Sequence, residues 1–206
     1  MACNGAFDTR AQTLNSTKWQ KLAEDFGYNQ SDRSQVDFPY KKSHFDIASD
    51  DSVWSRMQLA IGQGTTTVTP LLNLMMYAAI ANDGVMMTPY LVDHYLDADG
   101  NVVEQTKPKA LRSVCTKAEA ELMDEFLTYV ITNGTAAAGG SQYARVSGKT
   151  GSAQYDSTKN YHAWFCGYGT NDVSEIAVCV MIEKGGAGGI VAAPVAGQIF
   201  DYYFSR

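Results

Sequence analysis

Ser147-Gly148-Lys149-Thr150-Gly151-Ser152-Ala153-Gln154-Tyr155 is a small, polar, glycine-bounded stretch that runs directly into the most strand-like region of the sequence. In an extended strand, successive side chains point to opposite faces. Lys149 and Gly151 are therefore predicted to share one face, and Thr150 and Ser152 the other. A lysine held beside a cleft is a fixed positive charge, able to attract a carboxylate or to lower the pKa of a neighbouring hydroxyl. Thr150 adds a compact hydroxyl. Gly151 has no side chain, so a second backbone can come close, as a peptide lying along a sheet edge requires. Ser152 can offer its backbone N–H to an oxygen that gains charge during acyl transfer. Taken alone, Lys149-Thr150-Gly151 is read more readily as a glycine-rich strand start with a solvated lysine.

Downstream, residues 162–168 and 175–183 read as two further strands joined by the turn-rich Gly169-Thr170-Asn171-Asp172. The second is apolar without alternation, so both its faces should be covered. A hairpin centred near Asp172-Val173 sets Cys166 opposite Cys179, and two buried free thiols are favoured there over a disulfide. Residues 185–189 read as a flexible turn. Pro194 is placed at the start of a final helix with Val195, Ile199, Phe200 and Tyr203 inward.

Upstream, Thr116 and Glu119 have capping-box spacing and open a helix to about residue 132, with Leu122, Phe126, Leu127 and Val130 on its inner side. The alanine and glycine of residues 134–140 form a connector. Thr69 and Pro70 have the chemistry of an N-cap and a first helical position, ahead of a nearly all-apolar helix over 70–81 that is expected to be central and buried. Residues 85–104 read as a peripheral hairpin turning at Asp99-Gly100-Asn101. A first helix over 16–26 is assigned a Thr17/Gln20 capping box and a stripe of Trp19, Leu22, Ala23 and Phe26, while 28–51 read as a long surface loop. The fold class is therefore α/β of the α+β type, a short antiparallel sheet sandwiched between helices.

At 206 residues the chain makes one domain or the larger part of one. Its net charge of -6, with lysines and arginines dispersed, argues against nucleic-acid binding. It has no apolar run of membrane-spanning length and opens on Met1-Ala2-Cys3-Asn4 rather than on a signal peptide, so no membrane contact by this chain itself is expected. Scattered cysteines and histidines predict no metal site. Gly62-Gln63-Gly64 lacks both the third glycine of a dinucleotide fingerprint and the ending of a P-loop, so no cofactor is expected.

Taken together and in order, Gly62-Gln63-Gly64 with Val68-Thr69-Pro70-Leu71, Ala81-Asn82-Asp83-Gly84, Gly148-Lys149-Thr150-Gly151-Ser152-Ala153-Gln154 and Ala163-Trp164-Phe165-Cys166-Gly167-Tyr168 resemble the landmarks of penicillin-binding protein transpeptidase domains, class B most closely. The resemblance implies serine acyl transfer, in which a Ser-x-x-Lys supplies nucleophile and base, a Ser-x-Asn relays protons, and a Lys-Thr-Gly strand holds the substrate carboxylate. It assigns Lys149 and Asn4 as catalytic and Thr150, Gly151 and Ser152 as substrate-binding, Ser152 through its N–H in the oxyanion hole. Ala2 falls where that pattern has its serine.

No serine in the sequence is followed three places later by lysine, and Thr106-Lys107-Pro108-Lys109 is the sole threonine analogue. The resemblance therefore implies that residues 1–206 are the C-terminal portion of one transpeptidase domain, incomplete in its sheet and lacking its nucleophile. The implied partners are the D-Ala-D-Ala end of peptidoglycan stem peptides, β-lactams, and the missing N-terminal part of the domain, with the parent protein at the outer face of the cytoplasmic membrane. A β-lactam sensor, a serine β-lactamase relative and a non-catalytic binding module are the alternatives.

Overall fold

A computed structural model describes residues 4–30, 36–155, 158 and 160–206. The Lys149 stretch lies in β5 (Arg145–Gln154), which pairs antiparallel with β6 (Tyr161–Thr170), itself paired with β7 (Glu175–Ile182). The predicted hairpin holds, with Cys166 opposite Cys179. β5 and β7 are the two edges of this three-stranded sheet, and no further strand joins it among the described residues.

The sheet's two faces differ. Val146, Ala163, Phe165 and Val178 pack against α6 (Gly188–Phe204) through Ala192, Ala193, Ala196, Phe200 and Phe204. Phe165 and Phe200 are fully buried and meet edge-on at 6.3 Å, each contributing about 1.5–3 kcal/mol from burial. The opposite face, with Ser147, Lys149, Cys166, Tyr168 and Cys179, lies beneath α4 (Pro70–Ala81) and α5 (Lys117–Asn133).

α6 begins six residues before Pro194, correcting the predicted start. Gly188 and Gly189, read as a turn, form the first helical turn because a side chain would not fit there. A Cβ on Gly188 would stand 2.3 Å from the carbonyl oxygen of Gly151 and 2.5 Å from that of Trp164. Val195, Ile199 and Tyr203 are partly exposed, and Phe200 and Phe204 carry the inner face.

α4 has the predicted bounds, with Thr69 Oγ1 accepting from the N–H of Leu72. Only Leu72 and Ala79 are fully buried, so it is less enclosed than its composition implies. α5 has the predicted capping box of Thr116 and Glu119. Its inner face is rotated from the predicted one: Ala120, Leu127 and Ile131 are buried, whereas Leu122 and Phe126 are exposed. The cause is polar, since Asp124 and Thr128 occupy the inner face and bond to Ser147 of β5.

Near the start, α1 (Asn4–Ala11) and α2 (Ser16–Asp25) precede α3 (Val53–Ala60). The cap of α2 is Asn15, whose side chain accepts from the N–H of Lys18, rather than the predicted Thr17/Gln20 pair, and Leu22 is half-exposed. Buried Arg56 of α3 donates to the carbonyls of Ala11 and Leu14 and to Ser16 Oγ, fastening the end of α1. The segment before α3 is irregular but not wholly superficial. Phe45 and Ile47 form a small core with Leu59, Trp19, Ala23 and Tyr28.

The predicted hairpin over 85–104 divides. β1 (Val85–Met87) pairs with β4 (Ala110–Ser113), and only β2 (His94–Leu96) and β3 (Val102–Gln105) form the exposed peripheral hairpin. No described helix is long and apolar enough to cross a membrane.

Candidate active site

A cleft of about 740 Å³ wraps the outer edge of β5, and Asn4, Lys149, Thr150, Gly151 and Ser152 all line it. Asn4 and the consecutive residues 149–152, separated by most of the sequence, thus meet on one cavity. α1 brings Asn4 because Arg56 holds its far end. β5 presents the other four on both sides of its edge, since the register puts Lys149 and Gly151 on the face of Cys166 and Trp164, and Thr150 and Ser152 on that of Phe165 and Ala163. Ala2 lies outside the described residues. Thr106, with its hydroxyl donating to the carbonyl of Val92, belongs to the peripheral hairpin and not to the cleft.

Lys149 is half-buried, and its Nζ donates to the carbonyl of Thr150 at 2.6 Å rather than to a hydroxyl. Burial lowers its pKa, because desolvation disfavours the ammonium form. An entering anion would replace lost solvation. With its folded pKa depressed, the charged lysine destabilises the fold at neutral pH, and this penalty fades as pH rises through the lowered value and is gone above the ordinary lysine value. Lys149→Met is therefore expected to raise the Tm near pH 7 by about 2 °C, with the difference shrinking in alkaline buffer. A fall in Tm of the same size, by calorimetry at pH 7, would show that the ammonium stabilises the fold.

The hydroxyl of Thr150 lies 3.1 Å from that of Thr135, and Ser152 Oγ accepts from the N–H of Gly188 at 3.1 Å. A Cβ on Gly151 would meet only the Trp164 side chain, at 3.3 Å, and the close approach to the Gly151 carbonyl is made by α6 and rests on the missing Cβ of Gly188. The remaining wall includes Ile61, Gln63, Thr135, Tyr161, Gly189 and Ile190. Gln63 sits between Gly62 and Gly64, both in the left-handed region at φ 71° and 72°, where glycine is tolerated without strain. This turn, rejected above as a phosphate cradle, thereby shapes a cleft wall. Thr135 lies in a connector of small residues and carries no signal of its own in the sequence. Tyr155 stacks on His162 at 4.3 Å and lines an adjoining hollow with Trp54 and Gln154.

Behind Lys149, on the same face of β5, Ser147 anchors a polar network. Asp124 accepts from Ser147 Oγ at 2.7 Å, from the Tyr168 hydroxyl at 2.6 Å and from Arg145 Nη1 at 2.7 Å, while Thr128 Oγ1 lies 2.7 Å from Ser147 Oγ. Burial acts to raise the Asp124 carboxyl, but the hydrogen bonds from Tyr168, Ser147 and Arg145, with the charge of Arg145, together hold its pKa below the ordinary aspartate range. Burial and the same carboxylate push the Tyr168 phenol up.

Residues 2–201 match the penicillin binding protein transpeptidase domain. The chain belongs to this family. Its sequence is 28% identical over 203 residues to the peptidoglycan D,D-transpeptidase PbpA of Mycolicibacterium smegmatis, covering 94% of this chain and 40% of that protein. Its structure is similar to the D,D-transpeptidase domain of a peptidoglycan glycosyltransferase from Eggerthella lenta, with a TM-score of 0.84, 28% identity, and coverage of 96% of this chain and 50% of that one. It is also similar to penicillin-binding protein 3 of Mycobacterium tuberculosis complexed with ampicillin, with a TM-score of 0.79, 26% identity, and coverage of 97% and 48%. The chain thus spans half or less of the length of these relatives.

Proposed function

We propose that this chain supplies the carboxylate-recognition side of a peptidoglycan D,D-transpeptidase site, and that the parent protein crosslinks stem peptides by serine acyl transfer and is acylated by β-lactams. The observation that supports this reading is the meeting of Asn4, Lys149, Thr150, Gly151 and Ser152 on one cleft, in a chain of this family. Lys149 attracts the terminal carboxylate of a D-Ala-D-Ala peptide or of a β-lactam. The Thr150 hydroxyl, already turned toward Thr135, donates to that carboxylate. The N–H of Ser152 stabilises the developing oxyanion, and Asn4 orients the peptide amide. A Ser-x-x-Lys segment from the missing N-terminal part of the domain provides the nucleophile, and the parent works at the outer face of the cytoplasmic membrane.

The test is a fluorescent penicillin gel. The 206-residue chain alone should remain unlabelled, and the parent domain with its Ser-x-x-Lys should be labelled. Lys149→Ala in that parent should slow labelling about ten- to hundredfold, from loss of a charge-assisted contact. Labelling of the isolated chain, or an unchanged rate in the variant, would overturn the assignment. The absence of any Ser-x-x-Lys in the sequence fits a second reading, a non-catalytic binding module, as well as it fits a nucleophile supplied from outside these residues. It predicts no labelling of the parent either, but retained reversible binding of a D-Ala-D-Ala peptide.

A further inference from the structure

Cys166 and Cys179 are neither in the candidate cleft nor used by acyl transfer, yet their placement is chemically specific. They are directly opposed on β6 and β7, and their sulfurs lie 2.9 Å apart as free thiols. Opposed residues of antiparallel strands have Cα atoms about 4.5 or 5.5 Å apart. Both values fall within the roughly 4.4–6.8 Å that a disulfide spans. The strands need not move for the sulfurs to bond. Cys166 is buried, whereas Cys179 is partly exposed on the edge strand β7. One thiol is therefore available to a reagent, and the other is held within reach of the first. Cys115, the remaining described free cysteine, lies just before α5, outside this sheet.

We propose that Cys166 and Cys179 form an oxidisable pair, converted to a cross-strand disulfide by a disulfide-bearing oxidant. The Cys179 thiolate attacks one sulfur of the oxidant, forming a mixed disulfide and releasing one thiol. The Cys166 thiolate then attacks the Cys179 sulfur and releases the second thiol. The protein loses two electrons and two protons, and one oxidant disulfide becomes two thiols. Because Cys166 is also the register partner of Lys149, the new bond ties β7 to β6 at the level of the candidate cleft. This pair chemistry does not depend on the acyl-transfer reading.

The experiment exposes the chain carrying Cys3→Ser and Cys115→Ser to excess oxidised glutathione, denatures it, alkylates it with iodoacetamide and measures intact mass and peptide linkage. The expected product has lost two hydrogens, takes up no alkyl group and yields a linked peptide pair containing Cys166 and Cys179. Prior reduction restores two alkylation sites. Its Tm should exceed that of the reduced chain by about 5 °C or more, as a short closed loop predicts. Two alkylated cysteines after oxidation would overturn the proposal, as would a persistent glutathione adduct on Cys179 beside an alkylated Cys166. Neither readout relies on replacing the buried Cys166, so misfolding of a core variant cannot mask the result.

Discussion

Replacing Gly188 with alanine is expected to lower the Tm by about 6–12 °C. The added methyl would sit 2.3 Å from the Gly151 oxygen and 2.5 Å from the Trp164 oxygen, whereas a carbon and a carbonyl oxygen ordinarily approach no closer than about 3.3 Å. Both obstacles are strand backbone, so no side chain can rotate to make room. The start of α6 must retreat by about 1 Å, breaking the hydrogen bond from the Gly188 N–H to Ser152 Oγ. Overpacking of this kind costs about 3 kcal/mol, the upper end for one inserted methyl. Gly5→Ala is the control, because nothing lies within 4 Å of its added carbon and alanine favours a helix interior by up to about 1 kcal/mol. Thermal melts of the two variants decide the matter: a Gly188→Ala chain melting within a degree of the parent would mean that α6 does not abut β5 as described.

Asp124→Ala should destabilise the chain by about 3 kcal/mol. The carboxylate accepts from Ser147, Tyr168 and Arg145, and Ser147 and Tyr168 are buried, at 1% and 6% exposure. Removing the acceptor takes the carboxylate from both buried hydroxyls, leaving Tyr168 with Ser147 and Ser147 with Thr128 as side-chain partners. A pH signature separates this from simple loss of packing. The folded carboxyl has a lowered pKa, so it binds its proton less tightly than in the unfolded chain. Its stabilising contribution is complete above the ordinary aspartate value of about 4 and is lost as pH falls through the lowered one. Urea melts between pH 7 and pH 3 should show the gap between parent and Asp124→Asn closing toward acid. A constant gap would remove the ionised carboxylate from the account.

Hydrophobic spacing and cap chemistry locate α4, α5, β6 and β7, because those elements obey local rules: Thr69 caps, Thr116 and Glu119 box, and β6 and β7 are rich in aromatic and branched residues, whereas β5 is small and polar and is legible through its Lys-Thr-Gly motif. Spacing misplaced the inner face of α5, since periodicity treats Leu122 and Phe126 as buried whereas Asp124 and Thr128 are the residues that reach β5. It misplaced the start of α6 because glycine signals a turn locally, and only the neighbouring strand carbonyls reveal why glycine is required in a helix there. In the cleft, Lys149, Thr150, Gly151 and Ser152 were legible as a contiguous motif, and Asn4 by family resemblance. Thr135 and Gln63 reach the same cavity from distant segments, and nothing in their own surroundings announces it.

Pro194 divides α6 into two unequal halves. Having no amide hydrogen, it leaves the carbonyl of Ile190 without its helical donor and interrupts the chain of cooperativity along the helix. The portion beyond it is clamped under the sheet by Phe200 and Phe204. The opening turn, with Gly189 and Ile190 on the cleft, is therefore expected to open more readily than the portion beyond the proline. Amide exchange in that turn should outpace exchange beyond the proline and slow when the cleft is filled, giving a direct reporter of occupancy.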